Sequence, residues 1–198
     1  LKSILNNNIA HYPNIDWRLI AFAQNYYESL GYQYVETPWL IPTYYTEKTK
    51  PFQDKSFVLD SDLFKNQNNE LVGSAEQGFL YLIDNNQLQP GKYFSISPCF
   101  RTENYDSLHQ AWFMKLEIID FQNANTNSLN DMIEHAFNFF RNHTKGQLEI
   151  VNLPDKSYDI NLNGIEVGSY GIRKINDIDY IYGTGLALPR FSTANNMK

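Results

Sequence analysis

The dipeptide Asn163-Gly164 stands between two runs in which apolar and polar residues alternate, 157–162 and 165–169. A two-residue type I′ turn needs positive φ at both central positions, which Asn and Gly tolerate, and its twist matches that of the strands it joins. The pattern predicts an antiparallel hairpin with Leu162 facing Ile165, Asn161 facing Glu166 and Asp159 facing Gly168. Side chains alternate across a strand, so Ile160, Leu162, Ile165 and Val167 share a core face, and Asp159, Asn161 and Glu166 share the other. Asp159 and Glu166 become diagonal neighbours about 7–8 Å apart. Two carboxylates so placed can share a magnesium ion, or its waters, while the metal also holds phosphate oxygens. A solvated polar hairpin face gives the same pattern.

The rest of the chain surrounds this hairpin with further local strand pairs and a few helices. Leu19, Phe22, Ala23, Tyr26 and Leu30 recur at helical spacing over 16–30, and Gly31 supplies a stop. A strand is expected over 32–37, ended by Pro38. Residues 40–69 read as polar and irregular, with a short hairpin around 57–59. Gly73-Ser74-Ala75-Glu76 opens a helix through Ile83. Strands over 93–100 and 113–121 pair across a loop at 102–111. A second amphipathic helix covers 127–144, with Ser128 and Asp131 as its capping box. Strands follow at 148–152, 157–162, 165–169 and near 178–182. This order predicts an α+β chain, a mainly antiparallel sheet flanked by helices. With no repeat and no linker, the 198 residues read as a single domain.

Composition removes several classes of function. Hydrophobic residues make up 42% and charged residues 19%, the balance of a globular chain. No apolar run approaches the roughly 20 residues of a membrane span, and no basic-then-apolar leader opens the sequence. The single cysteine, Cys99, excludes an internal disulfide, fits a reducing, cytoplasmic setting, and reads as a small buried filler. Net charge is −6 with no cluster of lysines or arginines, so a long grip on tRNA or DNA is not expected.

Two arginines carry the chemistry. Arg101 lies in Phe100-Arg101-Thr102-Glu103, which opens a polar loop closed by Trp112-Phe113-Met114-Lys115-Leu116-Glu117. Arg190 ends Gly183-Thr184-Gly185-Leu186-Ala187-Leu188-Pro189-Arg190. A guanidinium is permanently charged and presents a planar fork suited to phosphate oxygens. Arg101 at a strand end, Phe113 across the loop and Glu117 on the return strand would form a pocket with a phosphate clamp, a stacking face and an acceptor. Glu103, Asp106, His109 and Gln110 also read as ordinary loop polars. Arg173 follows Gly168-Ser169-Tyr170-Gly171, small residues that allow a ligand to approach. It can fork onto a substrate carboxylate or lie on the surface beside Lys174. His11, His135 and His143 have no metal spacing, and no Gly-x-Ser-x-Gly turn supports a serine nucleophile.

These segments resemble the three motifs of class II aminoacyl-tRNA synthetase catalytic domains, in order, over about 16–194. Gly31-Tyr32-Gln33-Tyr34-Val35-Glu36-Thr37-Pro38 is similar to motif 1, used for dimerisation. The Arg101 segment through Glu117 resembles motif 2, and the segment ending at Arg190 resembles motif 3. The resemblance implies that Arg101 holds the ATP α-phosphate, Glu103 reads the adenine amino group and Phe113 stacks on the ring. It places His109 toward the terminal phosphates and Arg190 on the γ-phosphate side. Asp159, Asn163-Gly164, Glu166, Gly168 and Arg173 match the pattern of the aspartyl/asparaginyl/lysyl subgroup. By that likeness Asp159 and Glu166 bind magnesium, and Arg173 holds the side-chain end of a small acidic or amide amino acid. Gly73-Ser74-Ala75-Glu76-Gln77 is similar to the amino-acid-binding loop, which adds Ser74, Glu76 and Glu117 to that site. The chain departs from the family pattern at Pro189, where an acidic residue is usual, at Ala187 for a glycine and at Trp112 for a glutamate.

The resemblance implies a dimeric, ATP- and magnesium-dependent ligase that activates an aspartate- or asparagine-like amino acid as its adenylate. With no anticodon-binding domain in these residues, the expected acceptor is a protein or a small amine rather than a fully recognised tRNA. A catalytically silent paralogue acting as a binding or regulatory dimer, and a minimal tRNA-charging enzyme, are the alternatives.

Overall fold

A computed structural model describes residues 13–49, 57–58, 69–101, 106 and 108–197. Its helices are α1 (Trp17–Ser29), α2 (Thr43–Thr49), α3 (Ala75–Asp84), α4 (Thr126–His143) and α5 (Arg190–Asn196). Its strands are β1 (Gln33–Tyr34), β2 (Leu40–Pro42), β3 (Phe57–Val58), β4 (Asn69–Leu71), β5 (Lys92–Phe100), β6 (Trp112–Asp120), β7 (Leu148–Asn152), β8 (Tyr158–Leu162), β9 (Ile165–Ile175) and β10 (Ile178–Leu188). Seven strands form one sheet in the order β1-β5-β6-β10-β9-β8-β7, and β2-β4-β3 form a small second sheet. Every neighbour in the large sheet is antiparallel except β1, which runs parallel to β5. The expected α+β class, a mainly antiparallel sheet with helices around it, is what the chain forms. Among the described residues no helix is long and apolar enough to cross a membrane.

Local chemistry sets the helix ends. Asp16 caps α1 by accepting from the backbone N–H groups of Arg18 and Leu19. At the other end Gly31, at φ 85°, closes a Schellman motif: its N–H bonds the Glu28 carbonyl and the Tyr32 N–H bonds the Tyr27 carbonyl. The capping box expected at Ser128 and Asp131 does not form. Asn125 is the cap instead, accepting from the Ser128 N–H at 3.1 Å, because the helix starts two residues before Ser128. The strand expected over 32–37 shortens to two paired residues, Gln33 and Tyr34, with the Val35 N–H still bonding the Phe94 carbonyl. Of the described residues in 40–69, 40–42 and 43–49 form β2 and α2 where irregular chain was expected. Near the hairpin expected around 57–59, 57–58 form β3, which pairs with β4, and 59 lies outside the described residues. The strands expected at 165–169 and near 178–182 extend to eleven residues each, joined at Asn176-Asp177 with Asn176 at φ 50°.

The two faces of the large sheet have different duties. One face packs on α1, α4 and α5 through a core that includes Tyr27, Phe139, Phe140, Leu186, Leu188 and Phe191, all essentially inaccessible. Burying such a side chain contributes about 1.5–3 kcal/mol each. The other face meets α3 and α2 at one end, through Phe79, Leu80, Ile83, Tyr93 and Tyr180. Its other end is left open as a cleft.

Two bulges decide which side chains look into that cleft. The Asn163-Gly164 turn, with φ 52° and 80°, sets Leu162 against Ile165 and Asn161 against Glu166 as the sequence predicts. The register then slips by one, so that Asp159 faces Ser169 rather than Gly168. Val167 is the extra residue and is buried. On β10 the register against β6 slips in the same way at Gly185. In a regular strand, positions seven apart point to opposite faces. The bulge at Val167 removes that conflict and lets Glu166 and Arg173 share the cleft face.

Candidate active site

The cleft has a volume of about 250 Å³, near the lower end of small-molecule sites. Strand register lays out its floor. Lys115 and Glu117 on β6 run beside Ala187 and Thr184 on β10, with Ser169 beyond Thr184 on β9; Phe113 precedes Lys115 on β6, and Pro189 follows the end of β10. Further in, Tyr182 pairs with Gly171 and Tyr180 with Arg173. The floor therefore runs from an outer end, at Phe113 and Arg190, to an inner end at Arg173 and Tyr182.

Glu76 and Arg173 dominate the inner end. Glu76, in the first turn of α3, is almost fully buried. Arg173 Nη1 donates to both of its carboxylate oxygens at 2.8 Å, and the Tyr180 hydroxyl donates at 2.9 Å. The Arg173 guanidinium lies 3.9 Å from the ring centroid of Tyr182, close enough for a cation–π contact. Gly171 permits this stack, because a Cβ there would come within 2.8 Å of the Tyr182 ring. Burial, with Glu117 nearby, leaves the Glu76 carboxyl above its ordinary value although Arg173 and Tyr180 pull it down. Burial works against the charge on Arg173, but Glu76, Tyr182 and Tyr180 together hold it above its ordinary range. Two short contacts and a hydroxyl donor make this an ionised pair.

Glu117 occupies the middle. Its carboxylate accepts from the Ala75 N–H, from the Glu76 N–H at 3.3 Å and from the Ser74 hydroxyl at 2.6 Å. It thereby satisfies the free amides at the start of α3. Lys115 Nζ donates to the same carboxylate at 2.7 Å. Burial alone would raise the Glu117 carboxyl, but Lys115, Ser74 and Arg101 overcome it and hold it low. Gln77 fixes the entry to α3 by accepting from the Gly73 N–H and donating to Thr49 Oγ1.

The outer end is built at the ends of elements, after β5, at the start of β6 and at the start of α5. Arg101 Nε donates to the Gly73 carbonyl at 3.0 Å, and its guanidinium lies 5.1 Å from the Phe113 ring centroid. Arg190, the first residue of α5, donates to Glu166 Oε2 at 2.8 Å. His109 lines the cleft, with Nδ1 2.9 Å from both oxygens of Asp106. That contact and the Leu108 and His109 amides hold Asp106 down at about 2.

Arg101, His109, Phe113, Arg190, Ser74, Glu76, Glu117, Arg173 and Glu166 all line this one cleft. Asp159 lies on the same sheet face opposite Ser169 but is not among the lining residues. Burial, then repulsion from Glu166 and Asp155, raises its carboxyl against a bond from Ser169. Glu103 lies outside the described residues. Among those residues, no group of three or more His, Cys, Asp or Glu gathers to hold a metal. Asp159 and Glu166 offer two carboxylates on one face. Magnesium commonly takes one or two carboxylates and completes its shell with phosphate oxygens and water, so the pair fits that ion when phosphate is present. Lys115, Gln77, Tyr180 and Tyr182 were not singled out from the sequence. For Lys115 the signal was available, since it lies two residues from both Phe113 and Glu117 on one strand.

A mixed seven-stranded sheet flanked by five helices is the class II synthetase fold. Solved structures with this fold include seryl-tRNA synthetase from Pyrococcus horikoshii complexed with ATP, at TM-score 0.75 and 19% identity over 92% of this chain and 51% of that one. A pyrrolysyl tRNA synthetase of Desulfitobacterium hafniense matches at TM-score 0.69 and 16% identity, over 97% and 73%. The cytoplasmic serine-tRNA ligase of Naegleria fowleri in complex with AMP matches at 0.71 and 15%, over 91% and 53%. The chain thus spans about half the length of the seryl enzymes. No curated protein sequence is similar enough to count as a match. A family model for class II tRNA synthetases (D, K and N) matches residues 3–156, and the chain belongs to the class II tRNA synthetase family.

Proposed function

We propose that this chain activates a small amino acid, aspartate- or asparagine-like, by forming its adenylate from ATP. The observation that carries this reading is the convergence of three separate sequence segments, ending in Arg101, Arg173 and Arg190, on one cleft with an aromatic face at Phe113. In this reading the nucleotide lies at the outer end, with Arg101 on the α-phosphate, Phe113 against the adenine, Glu103 on its amino group, and Arg190 and His109 toward the terminal phosphates. The amino acid lies at the inner end among Ser74, Glu76, Glu117 and Arg173. Asp159 and Glu166 would hold magnesium, which neutralises phosphate charge when bound. Catalysis is then positioning and charge stabilisation, with no side-chain nucleophile. Assignment to the aspartyl, asparaginyl and lysyl subgroup is supported by the description of the matching family and by the Asp159, Glu166 and Arg173 pattern.

The acceptor in this reading is a protein or a small amine rather than a fully recognised tRNA, in keeping with a net charge of −6. Dimerisation through the segment around Pro38 is supported by Tyr34 and Trp39, each 48% exposed. A silent binding dimer is favoured by one observation: Arg190 and Arg173 already hold in-chain carboxylates.

Amino-acid-dependent exchange of pyrophosphate into ATP, across a panel of amino acids, separates the readings. Exchange with aspartate or asparagine is expected. Absence of both exchange and ATP binding would sink the enzyme reading. Arg173→Ala should abolish amino-acid dependence and leave ATP binding in place.

A further inference from the structure

We infer that Lys115 is the cation on which the two substrates meet, stabilising the charge that develops between the amino-acid carboxylate and the α-phosphate. The inference rests on the activation reading above. It is carried by position: Lys115 pairs in register with Ala187, between the Phe113 level and the Glu117–Thr184 level. Arg101 and Arg190 follow the strand ends on one side of it, past Phe100–Trp112 and Leu188–Met114, and Arg173, paired with Tyr180, lies on the other side with Glu76. The junction of two bound molecules falls where the floor passes from one set to the other.

The surroundings of Lys115 suit that task. Its side chain is only 14% exposed and lines the cleft, so its charge acts in a poorly screened setting. Glu117 holds the ammonium by one contact at 2.7 Å, leaving further N–H groups for oxygens above it. Glu117 is in turn fixed by three donors at the start of α3. The cation is therefore placed before substrate arrives, the condition under which a donor lowers a barrier most. Flanking residues across the floor are small or neutral: Ala187 on one side and Ser97 on the other.

In the step concerned, a carboxylate oxygen of the amino acid forms a bond to the α-phosphorus. The bond from that phosphorus to the bridging oxygen of the β-phosphate breaks, and pyrophosphate leaves with the electron pair. Negative charge concentrates on the non-bridging oxygens as the centre becomes crowded. Lys115 supplies hydrogen bonds there and gives up no proton.

The test uses binding and turnover together. The whole chain, Lys115→Met and Lys115→Arg are titrated with an unreactive acyl-sulfamate analogue of the asparaginyl adenylate, with AMP, and with ATP, and exchange is measured on each. Lys115→Met should slow exchange about 100-fold, mainly in kcat. It should weaken the analogue at least about tenfold and change AMP binding less than about threefold, while Lys115→Arg recovers most of the exchange. Lys115→Arg also guards against misfolding, because it keeps a cation beside the buried Glu117. Equal analogue binding and exchange in Lys115→Met would overturn the role of Lys115 and leave the activation reading standing. A parent chain that binds AMP but neither the analogue nor any amino acid would overturn both.

Discussion

At the inner end of the cleft the charged groups are enclosed by strand centres and the first turn of α3, whereas the outer end carries its arginines just past strand ends, Arg101 after β5 and Arg190 at the start of α5. Glu76 is almost fully buried and has three donor contacts from Arg173 and Tyr180. Glu166, the carboxylate facing Arg190, is 42% exposed and has one. The difference teaches that one set of side chains is preorganised and the other is ready to exchange partners. An enclosed pair loses its surroundings when broken and is held in one geometry. A half-exposed pair lets water replace either member, so a phosphate can take Arg190 from Glu166 at little cost.

The largest expected effect is at the outer end, on turnover. Arg101→Ala should lower amino-acid-dependent exchange by about 100- to 1000-fold with the unfolding midpoint nearly unchanged. An activity within tenfold of the parent would remove Arg101 from the nucleotide site. The largest effect on stability belongs to the inner end. Glu76→Ala strands Arg173 and the Tyr180 hydroxyl, and should cost about 2 kcal/mol in urea unfolding after allowing for the partial exposure of Arg173. Glu166→Ala should cost under about 1 kcal/mol by the same measurement. Equal losses in the two variants would erase the contrast between the ends.

The smallest effect is a pH dependence at Glu117. Its carboxyl is lowered in the folded chain, so on acidification the unfolded chain takes up the proton first. The stability it contributes is present above its ordinary value of 4.5 and is lost as pH falls through the lower, folded value. Unfolding free energy measured from pH 7 to pH 3 should fall less steeply for Glu117→Gln than for the parent. Parallel curves would mean that Glu117 is not held low.

Much of this arrangement was legible in the residues. Asn163-Gly164 specified its hairpin because few residue pairs accept positive φ twice, and Gly31 marked the end of α1 for the same reason. The pairing of β5 with β6 and the apolar stripe of α4 followed from simple periods. What escaped was set by neighbours. The β-branched and aromatic residues of Thr43-Tyr44-Tyr45-Thr46 do not read as a helix, yet Tyr45 bonds Asp84 and Thr46 bonds Glu70 in the folded chain. The slip at Gly185 depends on Leu116 and Tyr27, which a Cβ there would strike at 2.4 and 2.8 Å. The bond between Glu76 and Arg173 joins residues 97 positions apart, and nothing in the segment around Glu76 announces it.

The bulges at Val167 and Gly185 also govern how this chain can be compared or recombined with its relatives. Each is an unmatched residue inside a strand, so a relative that lacks the bulge would align to this chain only with a gap in the sheet rather than in a loop. A chimera has to take both sides of each bulge from one parent. Deleting either residue would turn every later side chain of that strand over. Single deletions there should be far less tolerated than substitutions at the same positions.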